Sequence, residues 1–242
     1  MEDFYVLIKD RFSEIIAREG LGGQAVVVRA NPLSPTQAIG NPEDADYPLL
    51  KGKEVMIQAE FKGSAGHAFT DMAGNSQGTL DEIISMELNT NFRRAVFIST
   101  LNAVMKHLGL VDKTVHCRDD EPRQCSLQLV KAIGEKYGHP RIAFVGFQPG
   151  MIRALAEKYE LRVTDMDAAN IGTEKFGIVI GGPEKTKENL EWCDVALVTG
   201  TTAANGTLGD FLGLDKPVLF YGVTISGAAK LLGLDAFCAF GK

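Results

Sequence analysis

Long apolar runs are absent from this sequence of 242 residues. No stretch reaches the ~18 consecutive apolar residues that a membrane-spanning helix needs. Basic residues do not dominate either, because 25 Lys and Arg stand against 31 Asp and Glu, which gives a net charge of −6. A protein with this balance is poorly suited to bind nucleic acid or an anionic membrane. We therefore expect no nucleic-acid partner and no membrane partner.

Cysteine is scarce and irregularly spaced. No two cysteines have C-x-x-C spacing, so the sequence predicts no structural zinc site and no cysteine cluster for a soft metal. The first residues are acidic where a signal peptide would be basic, which favours a cytoplasmic protein without disulfides. We expect two cysteines in the core and two exposed in a polar segment; the first pair is Cys193 and Cys238, and the second is Cys117 and Cys125.

The first half of the chain mixes helical periodicity with strand-like alternation of apolar residues. A stretch rich in Pro, Asn and Asp predicts a loop or a poorly ordered excursion. The predicted elements are a helix over 2–19, strands over 24–30, 53–61 and 66–70, the loop over 31–52, and helices over 80–86 and 91–108.

Two polar residues in this half could have a function. Asn102 lies among apolar residues of the helix over 91–108, and a buried amide must find partners. The sequence leaves two roles open for Asn102, a structural hydrogen bond or a contact at a domain interface. His67 has no second histidine nearby, which favours a structural role for it.

The second half alternates short apolar strands with helices, which is typical of a parallel sheet. A charged segment that contains a proline, residues 116–123, precedes this pattern. It predicts a boundary between a first domain, residues 1–118, and a second domain, residues 119–242. The predicted elements after it are helices over 124–137, 151–159, 186–192 and 226–232, and strands over 141–146, 161–165, 176–180, 194–199, 217–221 and 237–240.

The most informative stretch is DVALVTGTTAANGTLGDFLGL, residues 194–214. An apolar strand ends there at Thr199, and Thr207 with Asp210 resembles a capping box that would begin a helix. Backbone N–H groups at such a helix start favour an anionic or oxygen-rich group, although small residues also suit a simple tight turn. The candidate ligand-binding residues are Thr199, Gly200, Thr201, Thr202, Asn205, Gly206 and Thr207.

The motif TGTTAANGTL, with NAVMKHLG and GFQPG upstream, resembles a family named "putative heavy-metal chelation". The resemblance implies an α/β protein in which a small α+β domain, like the N-terminal domain of enolase, precedes a Rossmann-like parallel-sheet domain. It also implies a metal ion or metal chelate as the ligand, although the cofactor itself stays unknown. The family pattern adds Gly146, Gln148 and Asn102 to the candidate ligand-binding residues.

Ligands of open parallel sheets bind beyond the carboxyl ends of the strands. The turn at Gly146 lacks the second glycine of the dinucleotide motif, and Pro149 removes an N–H donor, so NAD is disfavoured. Asp165 and Asp167 follow about twenty residues later, where an acid holds a ribose hydroxyl in nucleotide-binding proteins. With Asn170 they are also candidate oxygen ligands of a metal, and Asp165 joins the ligand-binding set.

These patterns favour a protein that binds a small anionic metabolite or a metal chelate in a cleft between two domains. Two alternatives stay open. One is an enzyme that uses a nucleotide or adenosyl cofactor, and the other is a non-catalytic metallochaperone or accessory subunit. The sequence assigns no catalytic residue and does not decide whether the protein is an enzyme or a homo-oligomer.

Overall fold

A computed structural model describes residues 4–26, 33–42, 46–48, 50–51, 54–72 and 74–242. Most predicted elements of the first half are present, and residues 27–30 of the predicted strand 24–30 lie outside the described residues. The elements are α1 (Phe4–Arg18), β1 (Ala25–Val26), α2 (Pro35–Ile39), β2 (Val55–Phe61), β3 (Ser64–Thr70), β4 (Gly78–Thr79), α3 (Leu80–Ser85) and α4 (Asn91–His107).

The antiparallel hairpin of β2 and β3 lies directly on α4. Gly66 makes this close contact possible, because a Cβ atom there would lie 2.3 Å from the backbone nitrogen of Ala103 and from the backbone oxygen of Ser99. Helix α4 is covered on all sides, and its eleven consecutive residues from Ala95 to Met105 are buried. A helix that is apolar around its whole circumference belongs in the interior of a protein.

Asn102 provides a buried polar junction within this packing. Its side-chain nitrogen lies 3.0 Å from the carbonyl oxygen of His67 in β3, and 3.1 Å from those of Val223 and Thr224. Its side-chain oxygen accepts a hydrogen bond of 2.7 Å from the backbone N–H of Gly227. The amide therefore joins the hairpin to the segment at the start of α9, more than a hundred residues later in the chain.

The second half forms the alternating pattern expected from the sequence. Its elements are α5 (Glu121–Tyr137), β5 (Ile142–Val145), α6 (Pro149–Ala156), β6 (Leu161–Thr164), β7 (Glu174–Lys175), β8 (Ile178–Gly181), α7 (Thr186–Trp192), β9 (Val195–Thr199), α8 (Thr202–Asn205), β10 (Val218–Tyr221), α9 (Ser226–Leu232) and β11 (Ala236–Phe237).

These strands form a sheet in the order β11-β10-β9-β5-β6-β8-β7. Every neighbouring pair is parallel except β7 and β8. Taken in chain order, the parallel strands follow the 3-2-1-4-5-6 arrangement of doubly wound nucleotide-binding sheets. The strands that follow β5 up to β8 are added on one side of it, whereas β9, β10 and β11 are added on the other side. Because of this change of side, a crevice opens at the carboxyl ends of β5 and β9. The prediction of an α/β fold with a parallel sheet is confirmed.

Three local predictions are wrong. The loop predicted over 31–52 contains α2, which begins with a capping box in which Ser34 and Gln37 bond each other's backbone N–H groups. Helix α5 begins at Glu121, within the segment interpreted as a linker. The helix expected to start at Thr207 is only the short 3-10 helix Leu208–Phe211, and its N-cap residue Thr207 makes no side-chain capping hydrogen bond. The α-helix of this stretch, α8, lies before it and ends at Gly206.

The apolar core does not divide at residue 118. One cluster of buried residues extends from Phe4 in α1 to Ala229 in α9 and includes the interior of α4. The boundary between residues 118 and 119 and the enolase-like identity of the first part stay predictions. Among the described residues, no helix is both long enough and apolar enough to cross a membrane.

Replacing Asn102 with Ala should destabilise the protein by about 2–5 kcal/mol, because buried backbone groups would lose their partners. The free energy of unfolding in urea measures the change. Asn89→Ala is the control, since Asn89 is exposed and its loss should cost less than about 0.5 kcal/mol. Equal stability of the two variants would contradict the junction role of Asn102.

Candidate functional site

A pocket of about 630 Å³ lies at the carboxyl edge of the parallel sheet. The residues that follow β5, β6, β9 and β10 form one wall, including Gly146, Asp165 and Gly200. The opposite wall comes from the first half of the chain and includes Glu54 and Asp71. The structure therefore brings together four turns that lie far apart in the sequence.

Most of the predicted ligand-binding residues line this pocket. Asn102 does not, because it is fully buried and its amide is engaged in the junction described above. Gly206 does not appear in the lining either. The predicted residues that do line the pocket are Thr199, Gly200, Thr201, Thr202, Asn205, Thr207, Gly146, Gln148, Asp165 and Asp167.

The threonine-rich loop satisfies much of its own hydrogen bonding. The Thr202 hydroxyl donates to the carbonyl oxygen of Thr199 at 2.8 Å, and the Thr207 hydroxyl donates to the side-chain oxygen of Asn205 at 2.7 Å. The hydroxyl oxygens of Thr199 and Thr201 lie 3.2 Å apart. Helix α8 has only four residues, so the helix dipole invoked from the sequence is small. The loop offers hydroxyl oxygens to a ligand more readily than it offers positive potential.

The turn after β5 is shaped by Gly146 and Gln148. Gly146 has φ +95°, and a Cβ atom there would lie 2.8 Å from the Thr199 methyl group, so the chain needs glycine at this contact. The side-chain oxygen of Gln148 accepts from the backbone N–H of Met151 and caps α6, which Pro149 begins as predicted. Gln148 also lines the pocket, and its side-chain nitrogen takes no part in this cap.

Four carboxylates line the pocket: Glu54, Asp71, Asp165 and Asp167. Asp165 accepts hydrogen bonds from the backbone N–H of Asp167 at 2.8 Å and from the Asn170 amide at 3.2 Å. Burial nevertheless raises the pKa of Asp165 above its ordinary value. Burial also raises the pKa of Glu54 to about 7, and the charges of the other three carboxylates contribute. The two walls thus share a region of strong negative potential.

No Lys or Arg occurs among the described residues that line the pocket. The potential is therefore unfavourable to a bare anion and favourable to a cation. Within the described ranges, no three residues of the types His, Cys, Asp and Glu are grouped so that they could hold a metal ion. Asp165 and Asp167 could still supply oxygen ligands to a metal that brings further ligands of its own.

The expected exposure of two cysteines is wrong. Cys117 and Cys125 are buried, and both line the pocket together with the half-buried Cys238. Cys193 lies in the apolar core as expected. The polar sequence around Cys117 and Cys125 concealed their burial, which results from contacts with residues far along the chain.

Both nearby histidines are neutral at physiological pH. Burial lowers the pKa of His67 to about 3, and its Nε2 lies 2.9 Å from the side-chain oxygen of Gln58. Burial also lowers the pKa of His116 to about 4, and its Nδ1 lies 2.6 Å from the carbonyl oxygen of Cys117. His67 therefore has the structural role expected from the sequence, whereas His116 lines the pocket, which the sequence did not indicate.

Glu54 should make the stability of the protein depend on pH. Its pKa is about 7 in the folded protein and about 4.3 when unfolded, so the folded state holds the proton more tightly between these values. Stability should therefore fall as the pH rises through this range. Glu54→Gln should match the wild type near pH 4 and exceed its free energy of unfolding by about 1–3 kcal/mol at pH 8.

Urea denaturation at both pH values tests this expectation. The control is Glu14→Gln on the exposed surface of α1, which should leave the pH dependence unchanged. A pH dependence that is the same in Glu54→Gln and the wild type would contradict the assignment.

Comparison with known proteins supports the fold described above. A solved structure of unknown function from the DUF364 family of Pyrococcus horikoshii has a TM-score of 0.54 and 17% identity, covering 91% of this chain and 79% of its own. Another of unknown function from the same family, from Desulfitobacterium hafniense, has a TM-score of 0.55 and 11% identity, covering 94% and 83%. These identities support similarity of fold alone.

No curated protein matches this chain. The model of the DUF364 family, described as "Putative heavy-metal chelation", matches residues 131–233, from within α5 to the end of α9. This range contains the turns after β5, β6, β9 and β10 that form one wall of the pocket. The resemblance to the heavy-metal-chelation family is therefore confirmed over residues 131–233 of the chain.

Proposed function

We propose that this protein binds a metal chelate, a metal ion already held by a small oxygen-rich molecule, in the pocket between the sheet edge and the first half of the chain. The observation that carries the proposal is the charge of the pocket. Four carboxylates line it, while no Lys or Arg is found among its described lining residues. A cytoplasmic location, which the acidic residues at the start of the sequence favour, is part of this proposal.

The negative potential favours a metal chelate over a simple anionic metabolite as the ligand. An anion in this pocket would be repelled by Asp71, Asp165 and Asp167, and the partial burial of Asp165 and Asp167 strengthens their share of this repulsion. A bound cation would instead favour the ionised form of Glu54, whose carboxylate is now held partly protonated. The positive part of the ligand should therefore face these carboxylates.

The volume and the lining of the pocket also favour a chelate over a bare metal ion as the ligand. Its volume of about 630 Å³ falls within the ~300–1,000 Å³ that is usual for small organic ligands. Because the described residues offer no group of three or more ligands, most of the coordination shell must come from the ligand itself. Thr201, Asn205 and the side-chain nitrogen of Gln148 are suited to bind the organic part through hydroxyl and amide groups.

Calorimetry with citrate complexes of Mn²⁺, Co²⁺ and Ni²⁺, with each ion alone, and with metal-free citrate tests the proposal. The complexes should bind most tightly, and metal-free citrate most weakly. Asp71→Asn and Asp165→Asn should each weaken binding of the complexes about tenfold or more, the effect of losing ~1.4 kcal/mol. Asp215→Asn is the control, because Asp215 is exposed and does not line the pocket.

Two outcomes would contradict the proposal. Metal-free citrate could bind as tightly as its complexes, or the Asp71 and Asp165 variants could retain wild-type affinity for the complexes. Thermal unfolding of each variant shows whether it is folded under the conditions of the titration.

The strand order supports a second candidate, an adenosyl or ribosyl ligand. Asp165 follows β6, which is adjacent to β5, and this is where doubly wound sheets place the acid that binds a ribose hydroxyl. Gly146 directly follows β5 and lines the pocket, where the lack of a side chain leaves its backbone accessible to a ligand. The missing glycine of the GFQPG turn still argues against a pyrophosphate.

A thermal-shift series with adenosine, S-adenosylmethionine and NAD tests this candidate. If it is correct, adenosine and S-adenosylmethionine should raise the melting temperature and NAD should not. Asp165→Asn should abolish the shift, whereas Asp71→Asn on the opposite wall should preserve it. Absence of a shift with all three compounds, in protein that binds the metal citrates, would exclude the candidate.

A further inference from the structure

The pocket contains an uncharged region beside its carboxylates. Apart from Glu54, Asp71, Asp165 and Asp167, the described residues that line it are apolar, polar but uncharged, or the neutral His116. Large apolar side chains of this region come from both walls and include Ile39, Tyr47, Phe69, Phe147, Met151 and Phe237. A ligand that contacts only carboxylates, hydroxyls and amides would leave this apolar surface facing water and forgo the free energy of its burial.

On the wall from the first half of the chain, an aromatic side chain adjoins a carboxylate. Phe69 lies near the end of β3, and Asp71 follows it two residues later. The ring of Phe69 meets the ring of His116 edge to face, with the ring centroids 5.4 Å apart and an interplanar angle of 77°. Both rings line the pocket, so this wall offers aromatic surface next to negative charge.

The wall at the sheet edge repeats this arrangement. The backbone N–H of Gly146 donates to the carbonyl oxygen of Thr164 at 2.8 Å, which joins the turn after β5 to the end of β6. Phe147 and Asp165 directly follow the two residues of this hydrogen bond, and both line the pocket. Aromatic and carboxylate side chains therefore adjoin on the second wall as well.

Tyr47 connects the apolar surfaces of the two walls. It belongs to the apolar cluster against which Phe69 packs. A Cβ atom at Gly150 would lie 2.9 Å from the hydroxyl oxygen of Tyr47, so the first wall reaches the first turn of α6 at this glycine. Phe147 and Met151 belong to the apolar cluster of the second wall. The two apolar surfaces therefore meet beside Gly150.

The side chains of this region favour a flat aromatic group over an aliphatic one. Aromatic side chains pack against a ring edge to face or offset and stacked, and this stabilises a complex beyond the burial of apolar area. The thioether of a methionine also makes favourable contacts with aromatic rings. Phe69 on one wall and Phe147 and Met151 on the other supply both kinds of partner.

We propose that the ligand is a metal complex of an aromatic chelator, whose ring contacts Phe69 and Phe147 while the metal faces the carboxylates. This inference rests on the proposed function and adds to it the chemical class of the chelator. Because each wall has aromatic and carboxylate side chains beside one another, the ring must be attached close to the atoms that hold the metal.

Calorimetry with nickel complexes of three hydroxamates tests the class of the chelator. Acetohydroxamate, cyclohexanecarbohydroxamate and benzohydroxamate hold the metal through the same two oxygen atoms and differ only in a methyl, cyclohexyl or phenyl group. The phenyl complex should bind about tenfold or more tightly than the methyl complex, because it buries more apolar area. It should also bind about two- to tenfold more tightly than the cyclohexyl complex, because only the phenyl ring is aromatic.

The series distinguishes failure of this inference from failure of the proposed function. If the complexes bind and the phenyl complex binds no more tightly than the cyclohexyl complex, the aromatic chelator is wrong and the proposed function stands. If the nickel-free hydroxamates bind as tightly as their complexes, or if no complex binds, the proposed function fails and this inference fails with it.

The variants Phe69→Leu and Phe147→Leu test where the ring binds. Each should weaken binding of the phenyl complex about two- to tenfold and change that of the methyl complex less than about twofold. Phe92→Leu is the control, because Phe92 is half-buried and does not line the pocket. Wild-type affinity of both variants for the phenyl complex would overturn the placement of the ring. The wild-type series decides the class of the chelator even if a variant fails to fold.

Discussion

The buried amide of Asn102 is the interaction on which the arrangement of the two pocket walls depends. It bonds to the carbonyl oxygen of His67 in the hairpin and to three backbone groups of the segment 223–227, which leads into α9. Apolar packing of α4 brings these segments near one another but does not fix their register, because apolar contacts are not directional. The amide supplies the directional part, since an unpaired buried donor or acceptor is costly. Gly66 and Gly227 complement it, because a side chain at either position would collide with α4.

The pocket that results combines two chemically different surfaces. Carboxylates from both walls create a negative region that retains a proton at Glu54 near neutral pH. The turn over 199–207 faces the same space with hydroxyl and amide groups that are largely bonded to one another. A ligand that carries positive charge on one side and oxygen atoms on the other fits this division. Cys117, Cys125 and Cys238 line another part of the same pocket.

Much of the sheet and part of the site could be predicted from the sequence. Parallel strands are short, apolar and bounded by glycine, and their carboxyl ends share one edge, so Asp165 and Thr199 could be placed together. Glu54 could not, because nothing local distinguishes it, and its position depends on how the first half packs on the second. The burial of Cys125 was missed for the same reason, since residues 238–242 cover it. The capping box at Thr207 correctly marked the start of a helical turn, but this is only a short 3-10 helix without the side-chain cap, and left-handed Gly206 separates it from α8.

The hydrogen bond between Asn102 and Gly227 joins residues 125 positions apart. Closing so long a loop carries an entropic cost before any contact repays it, and folding slows as the separation of contacting residues grows. During synthesis, the hairpin and α4 emerge long before the loop that completes their junction. Until residue 227 leaves the ribosome, the Asn102 amide and the apolar face around it have no partner from that loop. The pocket is therefore among the last features of the molecule to form, and a ligand that bridges its walls would act on the final stage of folding.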